Sequence, residues 1–183
     1  RIAGTDTSFY VCSATPRKLK PTEIELLKAK QLAPRKVIKE KGDSILLANT
    51  SGLNWDLIPL EKGGYRLYLL HGTTKHGVIP IGDDYSFDLD KEMNVLSWRR
   101  YHRSFLEQPI TMNGEEIKEV MHSHTQMTPY FTATDIANYM LYGHDLYRIK
   151  KFLVLSTAFA NTSYLTTFDV EKMKLTSTVY TVK

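Results

Sequence analysis

The sequence predicts an α+β or mixed α/β domain, a twisted and mainly antiparallel sheet with flanking helices. Three observations lead there. A helix signal opens at Pro21; from Ser44 to about Phe105 short β-like runs alternate with turn residues; and a strand leading into a histidine motif is followed by one helix and then three closing strands. The expected organisation is an N-terminal arm and helix over residues 1–43 and one compact unit over residues 44–183.

Residues 1–20 combine polar residues, Gly4 and Pro16 with the apolar piece Phe9-Tyr10-Val11-Cys12, an arm or an edge strand. In Pro21-Thr22-Glu23-Ile24, Thr22 can accept hydrogen bonds from first-turn amides, and Glu23 and Glu25 suit the positive end of the helix dipole. Ile24, Leu26, Leu27 and Leu32 supply an apolar side; Pro34 interrupts the helix, and a second segment, Arg35–Glu40, ends at Lys41-Gly42-Asp43. The expected strands of an antiparallel meander are Ser44–Ala48, Trp55–Leu60, Tyr65–His71, Gly77–Ile81, Tyr85–Leu89 and Val95–Phe105. Tyr65, Leu67 and Leu69 line one face of the Tyr65–His71 strand while Tyr68 and Leu70 make its other face apolar too, which makes this strand central. Beyond Pro109, Ile117–His124 reads as a strand and Thr134–Tyr142 as a helix with a buried stripe through Asp135, Ile136, Tyr139 and Met140. Gly143 and His144 end that helix, and Phe152–Ser156, Ser163–Asp169 and Ser177–Val182 close the chain as strands.

With 42% hydrophobic and 24% charged residues in 183, the chain has the composition of a globular protein with a packed core, not of a disordered one. The net charge of +4 is concentrated between Arg17 and Lys41 and reads as a solvated face, so nucleic acid is an unlikely partner. The single cysteine, Cys12, rules out an intramolecular disulfide and a thiolate-rich zinc site. No apolar run reaches the roughly 18 to 20 residues of a membrane span. The first residue is Arg1 and not Met, which fits a trimmed chain or a mature one whose export signal was removed, so the compartment is left open between cytoplasmic and exported.

The stretch Met121-His122-Ser123-His124 carries the chemistry. On an extended strand, His122 and His124 at i and i+2 leave the same face, so two imidazoles can meet at one ion. Zinc accepts imidazole and carboxylate ligands, and a catalytic site uses three of them with one position open. Asp135, in the first turn of the next helix, is the natural third ligand. Thr132, three residues earlier, offers a neutral hydroxyl that can donate to a developing oxyanion. The more ordinary reading is that Thr132-Ala133-Thr134-Asp135 begins a helix as a capping box, and the two are compatible, because a cap also fixes a ligand.

His122-Ser123-His124, seven residues, Thr132, two residues and Asp135 together resemble the JAMM (MPN+) metalloprotease signature His-x-His-x7-Ser-x2-Asp, with threonine in the serine position. The resemblance covers positions 122–135 as residues and about 44–170 as topology. Gly82-Asp83-Asp84-Tyr85-Ser86-Phe87 and Trp98-Arg99-Arg100-Tyr101-His102 are similar to runs in a divergent, bacterial-looking, JAB-like branch of that family. The resemblance to the JAMM signature, not to that branch, implies a fold like that of cytidine deaminases, a zinc cofactor held by His122, His124 and Asp135, and hydrolysis of a peptide or isopeptide bond in a protein or peptide substrate. An upstream glutamate in a Glu-x-x-Gly context would be the general acid/base; here Glu61 of Glu61-Lys62-Gly63-Gly64 is the match. The rival expectation is a catalytically degenerate JAMM-like domain that serves as a binding or interaction module. His71, His76 and His102 are further candidates for a metal or a proton relay, each more ordinarily a turn or strand residue. In Trp98-Arg99-Arg100-Tyr101-His102-Arg103 the arginines are expected to face solvent.

Overall fold

The structure, a computed structural model, describes residues 17–45, 52–159 and 162–181. The expected arm over 1–16, with Cys12, and most of the expected Ser44–Ala48 strand lie outside them. The chain is mixed α+β with mainly antiparallel sheets, and it divides into two compact units. Among the described residues, those up to Thr74 with Gly82–Ser104 form the first; Lys75–Ile81 with those from Phe105 onward form the second. The helix grouped with the arm in residues 1–43 thus belongs with the first sheet, and residues 44–183 are shared between both units.

In the first unit, α1 (Pro21–Lys41) runs unbroken through Pro34 and into a 3-10 turn, Gly42–Ser44. The expected interruption does not occur. Ala29, Ala33 and Val37 repeat at i, i+4 and i+8, all three buried with Pro34 itself, so a continuous packed face offsets the lost hydrogen bond of a helix-interior proline. Nor does Thr22 cap the helix. Lys20 holds that place with extended backbone, Pro21 takes the first helical position that suits it, and Glu23 Oε2 accepts the Lys20 amide at 2.7 Å. A bidentate bridge from Arg17 holds the Glu23 carboxyl below the usual carboxylate range.

Strands β1 (Leu53–Pro59), β2 (Tyr65–His71), β4 (Tyr85–Leu89) and β5 (Val95–Arg100) form an antiparallel sheet in the order β1-β2-β4-β5, so the strand that is apolar on both faces is indeed central. Leu57, Leu67, Leu69, Tyr85, Phe87 and Leu89 share one core with the helix residues. The expected strand at 77–81 forms as β3 (Val78–Gly82), outside this meander: it pairs with β6 (Phe105–Pro109), split from the expected Val95–Phe105 run. Positive φ at Gly82 and Asp83 turns the chain sharply after β3, which frees Tyr85–Leu89 to pair with β2.

The β1–β2 turn holds Glu61. Leu60 and Gly64 close it with a Leu60 N–H donating to Gly64 O at 3.1 Å, and both glycines have positive φ. A Cβ on Gly64 would stand 2.3 Å from the backbone oxygen of Leu89. Gly64→Ala is therefore expected to destabilise the protein by about 2 kcal/mol or more, from strained φ plus a backbone clash. Denaturant unfolding monitored by tryptophan fluorescence checks this.

In the second unit, β9 (Glu119–His124), β10 (Lys151–Phe159), β11 (Thr162–Asp169) and β12 (Lys174–Thr181) make a sheet in the order β12-β11-β10-β9; β7 (Thr111–Met112) and β8 (Glu115–Glu116) form a small hairpin. The β10–β11 and β11–β12 pairs are antiparallel, but β9 and β10 are parallel, and a parallel pair needs a crossover. The crossover is α2 (Ala133–Asn138), a π-helical turn (Tyr139–His144) and α3 (Asp145–Tyr147). The expected helix end at Gly143–His144 is displaced. The chain leaves the helical region at Arg148, with φ 59°, while Gly143 is small because Phe152 and Ile79 pack against it. Ile79, Val120, Tyr139, Ile149, Phe152 and Phe168 build the core under the crossover, with the Tyr139 ring stacked on Phe152 at 4.2 Å.

Candidate metal centre

Strand β9 alternates strictly: Val120, His122 and His124 are buried, while Glu119, Met121 and Ser123 are exposed. A period of two sends both imidazoles to the face covered by the crossover, at the carboxyl end of a parallel strand, where open α/β sheets place their ligands. The chain then loops through Tyr130 and enters α2 with Thr132 as its cap. Asp135 N donates to Thr132 Oγ1 at 3.1 Å, while Thr132 N and Thr132 Oγ1 donate to Asp135 Oδ2 at 2.7 and 2.8 Å. This is a reciprocal capping box with aspartate in the acidic position. The same box aims the carboxylate at the strand.

His122 Nε2 and His124 Nε2 lie 2.7 Å apart, with Asp135 Oδ1 3.3 Å from the first and Asp135 Oδ2 3.5 Å from the second. Their side chains are 2%, 0% and 1% exposed, so water does not screen the group. A buried carboxylate beside two imidazoles is costly unless a cation or a proton balances it. Tetrahedral zinc with bonds of about 2.0–2.1 Å has ligand–ligand edges of about 3.3 Å. The two His–Asp edges match that spacing, and the His–His edge is shorter. His122, His124 and Asp135 could hold a metal ion.

The other ring nitrogens are held too. His124 Nδ1 lies 2.9 Å from the Tyr130 carbonyl, which only accepts, so Nδ1 carries the proton and Nε2 presents its lone pair. With both rings neutral, His122 Nε2–H donates to His124 Nε2, and the Tyr139 hydroxyl donates to His122 Nδ1. Metal binding would need His122 to move its proton to Nδ1, with the Tyr139 oxygen as acceptor, the arrangement in which an outer partner orients a metal-binding histidine. Burial, and then the charge of Asp135, push the Tyr139 hydroxyl well above the usual phenol range, so it stays a hydroxyl.

The structure thus brings together His122, His124, Asp135 and Thr132. The Thr132 hydroxyl donates to Asp135 Oδ2, as the cap requires. Glu61 is exposed in the β1–β2 turn of the first unit. Sequence reasoning counted Tyr139 as core and missed its hydroxyl; its place four residues after Asp135, one helical turn on, was the available signal.

In the first unit His102 Nδ1 meets the buried Asp84 carboxylate at 2.6 Å, while Arg100 pairs with Asp83 and donates to the carbonyl oxygens of His102 and Arg103. Arg100 therefore does not face solvent as expected, and Arg99 lies over the Tyr101 ring. His71 is a fully buried β2 residue, His76 packs edge-on to Tyr147, and His144 pairs with Asp145. No helix among the described residues is long and apolar enough to cross a membrane. No protein-family model matches the chain, and neither a curated protein nor a solved structure does.

Proposed function

We propose that the second unit is a JAMM-like zinc site, and that the protein is a zinc-dependent hydrolase of peptide or isopeptide bonds. One observation carries this reading: two Nε2 atoms and one carboxylate converge in a buried cluster at the end of a parallel strand. His122, His124 and Asp135 would hold the ion, three protein ligands with one position left open. Zinc supplies Lewis acidity toward a scissile carbonyl and lowers the pKa of water to roughly 7. Tyr139 and the Tyr130 carbonyl orient the imidazoles. Thr132 fixes Asp135 and stands where the signature places its serine. Glu61, taken from its Glu-x-x-Gly context, is the group that accepts and returns a proton in this reading. The strand–helix–strand crossover that carries the motif is in keeping with a cytidine-deaminase-like JAMM topology.

A second reading, a degenerate JAMM-like module that binds a protein or peptide partner without cleaving it, draws on the Thr132 hydroxyl, which the capping box already engages. Elemental analysis and a peptide-cleavage panel separate the two. The hydrolase reading expects about one zinc per chain, cleavage that a chelator abolishes, and loss of cleavage by about 100-fold or more in Glu61→Gln with zinc retained. Zinc without cleavage favours the module. A metal-free native protein that takes up no zinc removes both the ion and the hydrolase.

A further inference from the structure

Two buried polar atoms near the metal centre have no hydrogen-bond partner among the described residues: Ser156 Oγ and Asn138 Oδ1. Ser156 is 0% exposed and Asn138 2%, so each is a desolvated group of a kind that folded proteins nearly always pair. Their positions are set by regular structure. In the parallel β9–β10 register Ser156 is the partner of His124, as Val154 is of His122 and Phe152 of Val120. Val154 and Ser156 are buried on β10 in step with His122 and His124 on β9, so Ser156 stands beside His124 on the same face of the sheet. Asn138 follows Asp135 by three residues and precedes Tyr139; all three are buried, and Asp135 and Tyr139 meet His122, so helical spacing puts Asn138 on the flank of that same face. The helix thus carries one prospective ligand and one unpaired polar group, while the histidines lie on β9 and Ser156 on its neighbour β10.

Resting on the metal-centre reading above, we propose that Ser156 and Asn138 are the polar wall of the open coordination position and select a secondary amide there. The Ser156 hydroxyl donates to the amide carbonyl oxygen, and Asn138 Oδ1 accepts the amide N–H. The two functions together match a peptide group and not an ester, which has no N–H to offer. Uptake of the ion would widen the 2.7 Å His122–His124 contact toward a coordination edge of about 3.3 Å. A site built to hydrogen-bond one group rejects an analogue that lacks it, since its own buried atom is then left unpaired.

The test uses the full chain loaded with zinc or cobalt and two probes, acetohydroxamate and N-methylacetohydroxamate, which differ in the N–H. Calorimetry or the cobalt absorption spectrum gives the Kd values. The unmodified protein is expected to bind the N–H probe about 10-fold more tightly. Asn138→Leu should erase that preference, and Ser156→Ala should weaken both probes by about 10-fold. Zinc affinity should stay within about twofold in both variants, because no ligand is removed. Ser156→Ala, which deletes an unpartnered hydroxyl, should not lower the Tm, so it remains informative if Asn138→Leu folds poorly. Equal binding of the two probes by the unmodified protein, or a Ser156→Ala variant that binds both as tightly as it does, overturns this inference and leaves the metal centre standing. Failure to take up zinc or cobalt at all overturns both.

Discussion

Asp135→Ala is expected to cost the protein its zinc and, at the same time, about 2–4 kcal/mol of stability, since the carboxylate is both a ligand and half of the α2 cap. Thr132 N and Oγ1 both donate to Asp135 Oδ2 inside a region that water does not reach, so their loss leaves a buried donor unpaired. For a protein of this size the change corresponds to a fall in Tm of about 5–10 °C. Asp135→Asn separates the two roles. Its amide oxygen still accepts from Thr132, so most of the stability should remain, while the missing charge lowers zinc affinity by about 100-fold or more. Thermal unfolding in the presence of chelator reads the first effect alone, and zinc titration reads the second. An Asp135→Asn variant that binds zinc as the unmodified protein does would show that the carboxylate serves only the helix.

Gly143→Ala carries the second large effect. A Cβ at that position would lie 2.6 and 2.7 Å from two ring atoms of Phe152 and 3.2 Å from Ile79 Cδ1. Phe152 has no room to retreat, because it is fully buried and its other face stacks on Tyr139 at 4.2 Å. Overpacking of this kind costs about 2–3 kcal/mol. The strain also reaches the candidate site, since the Tyr139 hydroxyl is the partner of His122 Nδ1. Zinc affinity is thus expected to fall along with the Tm, although residue 143 touches no ligand. Gly42→Ala is the matched control: that glycine has φ −53°, and its nearest added contact is Ile38 Cγ2 at 3.9 Å. It should be neutral or slightly stabilising.

Much of the candidate site was legible because it depends on short-range periodicity. Two histidines separated by one residue share a strand face whatever the rest of the fold does, and an acid three residues after a threonine at a helix start is held by its own cap. Strands Tyr65–His71 and Tyr85–Leu89 were legible for the same reason, their apolar patterning being local. Where tertiary contacts decide, the pattern misleads. Pro34 reads as a breaker until Ala29, Ala33 and Val37 are seen to pack on either side of it. Arg100 reads as solvated until Asp83 arrives from the turn before β4. Gly143 reads as a helix stop because nothing local shows the ring of Phe152 against it. Ser156 beside His124 is beyond any local signal, since the register between β9 and β10 is set across the whole crossover.

The three prospective donors all come from a single run of fourteen consecutive residues, His122 to Asp135. Such a set lies within a loop short enough for an unfolded chain to close at little entropic expense, so the denatured ensemble retains some affinity for the cation. Saturation with zinc would then shift the unfolding equilibrium by less than the native dissociation constant alone dictates, because the competing state binds the ion too. A centre assembled from remote strands would lack that leak, and a His-x-His centre on one strand–helix joint has it built in.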